Sequence, residues 1–504
     1  MKNYIGKKFF CIAFFIIFSL QIFGCQTLKT IVDEVSFSFE NLGKKISQKF
    51  ENSSSSDNST ENENLQKDYS LIEGTRLPVL PKLQQKPSTK LSNFSTPSSY
   101  EKAYSYRTDK ADENMKAIRK NSTLESLRKS NPENYIKEVC AKINELAKDD
   151  FEKAKFAHDI TALLIKYDAA SFWAGKIPNQ DYSSVLKTGL AVCEGYSTVY
   201  KRFCDELKIP CYKVIGYARG VGTSLETEKN VFDSNHAWNI IQIEGSWYLV
   251  DCTWDSGYMS GRTSVQRYNT DWLFLKPEHF IYTHFPTDSR NQLLKNVLSF
   301  DEFFNLPDLQ PKFFEMANNI SPDLKKNNLS DGTFVLNYKM KDGYSFTFEL
   351  ANLTSNQIIK NRVLVEDDCA TFSLPQVAKY AVSIFYWKDG EQRGNSCGSF
   401  LIESTGTSSV RYPTLFAVTG GSAKIIEPKK MPLVAGQTYN FKMKVENKKF
   451  VTVICDNQYN KLTDDGTGIF SGEVTIPKNT KQISIGVSNK ENSSYQIFAN
   501  YVVK

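Results

Sequence analysis

Histidine is scarce in this sequence, with four residues in 504. The spacing of His279 and His284 does not place both on one helix face, and no cysteine or carboxylate cluster completes a metal site around them, so both read as structural. His158 lies within an apolar helical face made by Phe156, Ile160, Leu163, Leu164 and Tyr167, and reads as a core residue. No two cysteines form a CxxC pair, which excludes paired-thiol zinc frameworks. There is no glycine-rich phosphate loop and no other cofactor motif, so neither a metal nor a cofactor is expected. A strong excess of one charge is also missing. The 62 basic and 56 acidic residues leave a net charge of +6, with no basic tract interleaved with aromatics, which excludes a nucleic-acid partner. The apolar run from Phe9 to Phe23 is too short for a comfortable membrane span.

That run instead reads as the middle of an export signal over residues 1–24, with Lys2, Lys7 and Lys8 as its positive start. It ends Ile22-Phe23-Gly24-Cys25. A cysteine after a small residue resembles the bacterial lipoprotein cleavage site, with Phe23 bulky for that box. The resemblance implies diacylglycerol on the Cys25 thiol and N-acylation after cleavage, together enough for a stable anchor. The protein is then exported and lipid-anchored to the bacterial cell envelope, at the inner membrane, the outer membrane or the cell surface. An uncleaved anchor or an ordinary signal peptide is the alternative. Residues 25–110 read as a flexible tether, Ser/Asn/Glu-rich from Glu51 to Asp68 and proline- and serine-rich from Leu77 to Tyr100. Within it, Val32, Val35, Phe39, Leu42, Ile46 and Phe50 recur at helical spacing, on the membrane or without function.

What the chain does have is 40% apolar and 13% aromatic residues, ample for the cores of about three domains. Folded sequence is expected from near Ala111, with helices over Pro132 to Leu146 and Phe151 to Tyr167. The organising stretch is Leu190-Ala191-Val192-Cys193-Glu194-Gly195-Tyr196-Ser197. Tyr196, Val199, Tyr200, Phe203 and Leu207 recur on one helical face, and Ile209-Pro210 stops the helix by Lys208. Cys193 therefore sits at a helix N-terminus, where unpaired N–H groups and the dipole favour a thiolate. Downstream, a strand from Ala237 to Ile243 turns at Glu244-Gly245 and returns through Trp247 to Asp251. If Ile243 faces Ser246, Asp251 falls opposite Trp238, and His236 shares that face, diagonal to Asp251. A base and its orienting carboxylate need that arrangement, and Cys193 can be presented to them.

Three motifs carry a resemblance: Ala191 to Tyr196, His236-Ala237-Trp238-Asn239 and Asp251-Cys252-Thr253-Trp254. They are similar to the transglutaminase-like superfamily of papain-type cysteine enzymes. The branch most resembled contains the kyphoscoliosis peptidase of muscle and a fungal cytokinesis protein, since Phe274 to Pro286 is similar to a segment following the core there. The likeness runs from about Tyr135 to Pro286. It implies an α+β fold, with a papain/transglutaminase-like core over residues 111–300 and two immunoglobulin-like β-sandwiches over 305–404 and 410–504. It also implies a Cys193–His236–Asp251 triad and protease-like hydrolysis of protein or peptide substrates. Two other outcomes stay open. One is a protein cross-linking acyltransferase. The other is a catalytically silent surface scaffold that binds protein.

Smaller expectations complete the picture. Gln180 or Tyr182 could add a second oxyanion donor. The polar loop from Arg219 to Ser234 borders the site and gates or selects substrate. Trp238, Trp247 and Trp254 read as core packing beside the site. Cys252 follows Asp251 on the strand and points to the opposite face. Phe334 to Met340 and Ser345 to Leu350 form a hairpin about Asp342-Gly343. The β regions are binding or spacing modules for protein partners, and Cys369 with Cys397 is the disulfide that export would allow.

Overall fold

The computed structural model describes residues 97–504 apart from 222, 389, 390, 392, 393, 417, 492 and 493. The export signal, Cys25 and the tether up to residue 96 lie outside the described residues.

Five helices come first: α1 Pro97–Tyr104, α2 Glu113–Lys120, α3 Ser122–Ser130, α4 Pro132–Leu146 and α5 Asp150–Leu164. Asp112, Asn121, Asn131 and Asp149 cap α2 to α5 through their side-chain oxygens, the residue types that compete best for the free first-turn N–H groups. Helix α1 corrects the expected start near Ala111. Tyr100 and Ala103 are buried, and the Tyr100 ring stands edge-on to Tyr248 at 5.5 Å, so the stretch read as tether is folded by Pro97. Helix α5 ends three residues before the expected Tyr167. Ile165 is already extended, and β1 Lys166–Tyr167 pairs in parallel with β2 Leu190–Ala191.

Between β1 and β2 lie α6 Ala169–Ala174 and α7 Tyr182–Thr188; after β2 comes α8 Cys193–Glu206. The sheet that follows contains β3 Cys211–Ala218, β4 His236–Ile243, β5 Ser246–Val250, β6 Leu273–Leu275 and β7 His284–Pro286, with α9 Cys252–Ser256 between β5 and β6. Its order is β6-β5-β4-β3-β7, antiparallel throughout. Alternation sorts its two faces. Ile241, Ile243, Tyr248 and Val250 join the helices in one core, while Val214, Trp238, Ile240, Trp247 and Leu249 form a second core on the far side. The five residues expected on the apolar face of α8 are all buried in the first core. Trp238 and Trp247 are core residues, as read from the sequence.

Beyond the sheet the chain is β-rich. One sandwich pairs a six-stranded with a four-stranded sheet, and a second, between Thr414 and Val502, pairs a five-stranded with a four-stranded one. In the first, β8 Thr333–Met340 and β9 Tyr344–Asn352 do not form the expected hairpin. Strand β8 pairs with β10 Cys369–Ser373, whereas β9 pairs with β11 Lys379–Lys388 in the opposite sheet. Both strands alternate, but their apolar faces look at each other across the core, with Tyr338 and Phe346 rings 5.2 Å apart. The Asp342-Gly343 turn, with Gly343 at φ +77°, is thus a corner between sheets. The same separation undoes the expected disulfide. Cys369 lies on β10 and Cys397 on β12 Asn395–Ser404 of the other sheet, and both are free thiols.

Candidate active site

Cys193 is the first residue of α8, half-buried, where the opening N–H groups have no helical acceptor. Val192 precedes it with extended backbone and no side-chain cap. A neighbouring side chain locates this helix start. The Val192 N–H donates to Gln180 Oε1 at 3.0 Å, and Gln180 Nε2 donates to the Pro178 carbonyl at 2.9 Å. Gly195 makes room for that carboxamide, since a Cβ there would stand 2.6 Å from Gln180 Oε1 and from Ala191 Cβ. Of the two oxyanion candidates, Gln180 is therefore at the helix start and retains a second amide hydrogen. Tyr182 is not there, because its hydroxyl donates to Glu133 at 2.9 Å.

His236 opens β4 and is buried. Asn235, just before it, is locked to Ala218 in both directions, accepting from its N–H at 2.7 Å and donating to its carbonyl at 3.0 Å. Asp251 follows β5. The β4–β5 ladder runs from Ile243↔Ser246 to Asn239↔Val250, the register read from the sequence, and Asp251 lies one residue past its end. Asp251 is fully buried and caps α9, its Oδ1 accepting from the N–H groups of Thr253 at 2.8 Å and Trp254 at 3.2 Å. Cys252 is thus the first residue of a helix rather than a strand residue, although it is buried in the core as expected.

His236 Nε2 meets Asp251 Oδ2 at 2.7 Å. Cys193 is the other group whose charge acts on His236, and with Nε2 engaged, Nδ1 is the nitrogen left for the sulfur. Burial by itself lowers the His236 pKa. The charges of Asp251 and Cys193 and the hydrogen bond to Asp251 outweigh burial and raise the value to about 10. Asp251 is the mirror case. Burial works against its charge, but His236, by charge and hydrogen bond, and then His284 hold it well below the ordinary carboxylate range. The imidazole is thus protonated at neutral pH and oriented by an ionised carboxylate, as an acid–base group for sulfur chemistry must be.

The sequence reading missed His284. Its Nε2 lies 3.2 Å from the same Asp251 Oδ2, and Thr283 Oγ1 lies 2.9 Å from its Nδ1. Strand β7 delivers it by pairing with β3, placing His284 beside Ala218 while His236 pairs with Gly216. The signal available was the Phe274 to Pro286 segment, which was read as a flank to the core. His236, Asp251 and His284 have ligand-type atoms within 4.8 Å of one another, a grouping that hydrogen bonding around one carboxylate accounts for. His279, by contrast, stacks on Phe314 at 4.2 Å, a structural role.

Three surrounding features frame the site. Trp254 is half-buried, with its ring 5.4 Å from His236 and 4.4 Å from His284. Arg219, Leu225 and Glu228 of the loop from Arg219 to Ser234 are held by partners. Arg219 pairs with Glu228 at 2.9 Å, and Glu228 also accepts from Tyr217 Oη at 2.9 Å and from Lys326 Nζ at 2.7 Å. Leu225 of the loop packs on Ala381 and Leu401 of the first sandwich. Behind the site, His158 is a core residue as expected, but a bonded one. Its Nε2 meets Asp255 Oδ2 at 2.9 Å, tying α5 to α9, the helix that Asp251 caps. Burial pushes Asp255 up to about 7 against the opposing pull of His158.

Comparison with known proteins finds likeness in the core that carries these residues. Residues 137–252 match the Transglutaminase-like superfamily, a span that includes Cys193, His236 and Asp251 and stops short of His284. Kyphoscoliosis peptidase of Homo sapiens is 33% identical over 185 residues, covering 34% of this chain and 27% of the relative. The Mus musculus protein of the same name is 36% identical over 126 residues, 24% of this chain and 19% of the relative. Hillarin of Drosophila melanogaster is 27% identical over 133 residues, 24% of this chain and 16% of the relative. The chain thus spans about a quarter or less of the length of these relatives. The fold is a transglutaminase-like α+β core followed by mainly antiparallel β-sandwiches. Among the described residues, no helix is long and apolar enough to cross a membrane.

Proposed function

We propose that this chain is a cysteine peptidase or amidase that acts on protein substrates through Cys193, His236 and Asp251. The observation that carries the reading is the 2.7 Å bond between His236 Nε2 and Asp251 Oδ2, which leaves Nδ1 for the Cys193 sulfur. The sulfur attacks the carbonyl carbon of a peptide bond or a glutamine side-chain amide. The negative charge that develops on the carbonyl oxygen is met by the free N–H groups at the start of α8. The C–N bond then breaks, and the His236 proton passes to the leaving amine. A thioester remains, with a neutral imidazole. That imidazole takes a proton from water, the hydroxide equivalent attacks the thioester, and acid and thiol are released. An amine in place of water gives a cross-link by the same steps. Hydrolysis is favoured here on likeness to proteins named as peptidases.

The core from Pro97 to about residue 300 supplies the chemistry, and the sandwiches over 305–404 and 410–504 bind protein partners or act as spacers. Export and a lipid on Cys25 hold the whole at a bacterial cell envelope. The experiment is hydrolysis of a denatured-protein mixture by the wild type and by Cys193→Ala, with new amino termini and released ammonia read by mass spectrometry. Cys193-dependent products support the enzyme. Their absence, together with no Cys193 labelling by a thiol-directed acylating probe, leaves the silent scaffold as the better account.

A further inference from the structure

We propose that His284 is the positioning residue for Asp251, so that the site is a chain of four groups: Cys193, His236, Asp251 and His284. This rests on the cysteine-hydrolase reading above.

The argument is one of satisfied valence. A fully buried carboxylate offers about four acceptor positions. The backbone N–H groups of Thr253 and Trp254 take two on Oδ1, and His236 takes one on Oδ2. His284 Nε2, at 3.2 Å, takes the fourth. Since Asp251 is ionised and can only accept, both imidazoles donate to it. The Asp251 contact then sets the tautomer: a neutral ring that donates from Nε2 has Nδ1 as an acceptor, and the Thr283 hydroxyl, with Nδ1 at 2.9 Å and the Phe280 carbonyl at 3.3 Å, has the nearer acceptor there.

The surroundings keep His284 a neutral donor. It is about 1% exposed, and the rings of Trp238, Trp254, Trp272 and Phe280 lie 5.1, 4.4, 4.9 and 4.2 Å away. That burial, with the positive charge of His236, lowers its pKa to about 4 against the opposing pull of Asp251. The titratable groups that feel Asp251 are His236 and His284 in contact, with Tyr167, Tyr196 and Cys252 farther off. Cys193 reaches Asp251 through His236. None of these, other than the two imidazoles, supplies Oδ2 with a hydrogen bond among the described residues. Without His284, Oδ2 has one donor and the carboxylate can turn. It is then more readily protonated, and the His236 ring loses its fixed partner.

The test is iodoacetamide alkylation of Cys193 in the full chain, read by mass spectrometry from pH 4 to 10. It compares wild type, His236→Ala, His284→Leu and His284→Gln. In the expected result, His284→Leu slows alkylation about tenfold at neutral pH and moves the acid limb upward by about one unit, since a loosely held Asp251 stabilises the His236 imidazolium, and with it the thiolate, less. His284→Gln, which keeps an N–H donor, restores most of the rate. A His284→Leu profile that superimposes on wild type overturns the proposal. A wild-type profile that His236→Ala leaves unchanged instead overturns the enzyme reading. A measurement on the unmodified protein makes folding of the variants irrelevant. The imidazole ¹⁵N shifts at pH 7 are expected to show His284 neutral and protonated on Nε2, and the Nδ1–H tautomer overturns the proposal.

Discussion

Gly216 stands opposite His236 in the β3–β4 ladder with no room for one more carbon. A Cβ there would lie 2.2 Å from the Phe285 carbonyl oxygen and 2.7 Å from Pro286 Cα. Both are backbone atoms of β7, the strand that carries His284, so they yield only if the strand moves. Gly216→Ala is expected to destabilise the fold by about 1–3 kcal/mol. Urea unfolding measures the loss. Cys193 alkylation, slowed in parallel, reports the displaced His284.

Asp251→Asn preserves shape and removes charge. The amide still accepts from the α9 N–H groups through its oxygen, but it no longer stabilises a protonated His236. Peptide hydrolysis is expected to fall by about two to four orders of magnitude, while circular dichroism is unchanged. A variant within tenfold of wild type would contradict the assigned role.

The raised His236 value makes a signed pH prediction. Its pKa in the fold is about 10, against 6.5 for the free side chain. Its contribution to stability is therefore whole below about pH 6.5 and is lost as pH rises through about 10. Denaturant unfolding across that window should decline more steeply for wild type than for His236→Ala. Turnover should lose its proton donor over the alkaline end of the same window.

Glu228 is surrounded by cations it must balance. Glu228→Ala leaves Arg219 and Lys326 buried without their carboxylate and is expected to cost about 3–5 kcal/mol. Lys326→Met, which leaves the Arg219–Glu228 pair intact, is expected to cost about 1–3 kcal/mol. Thermal unfolding ranks the two, and limited proteolysis should cut first within Arg219 to Ser234 in the weaker variant.

Thiol counting tests the sandwich. Cys369 and Cys397 are both expected to react with a maleimide in denaturant without reductant. Protection of the pair from labelling would mean the two sheets are linked.

Much of this was legible in the sequence for physical reasons. The α8 helix announces itself through an apolar stripe and a proline stop, and the β4–β5 register follows from the Glu244-Gly245 turn, because a slip of one residue would turn its side chains to the wrong face. The second sandwich, expected over 410–504 from the resemblance, has strands each bounded by polar turns. Other features depend on contacts far apart in sequence. The β8–β9 corner and a hairpin share one alternation pattern, and only the partners β10 and β11 tell them apart. His284 carries no local mark, since a three-residue strand pairing at long range brings it to Asp251. The role of α1 depends on Tyr248 more than a hundred residues away.

The Arg219 side chain has a consequence for where this protein can be divided. Its guanidinium donates to the carbonyls of Phe303, Phe304 and Pro307 as well as to Glu228. A fragment ending at residue 300 would take those three carbonyls from the arginine and Lys326 from the glutamate. The smallest portable piece, for expression or for grafting onto another scaffold, therefore extends through the first sandwich to about residue 404, where β12 ends.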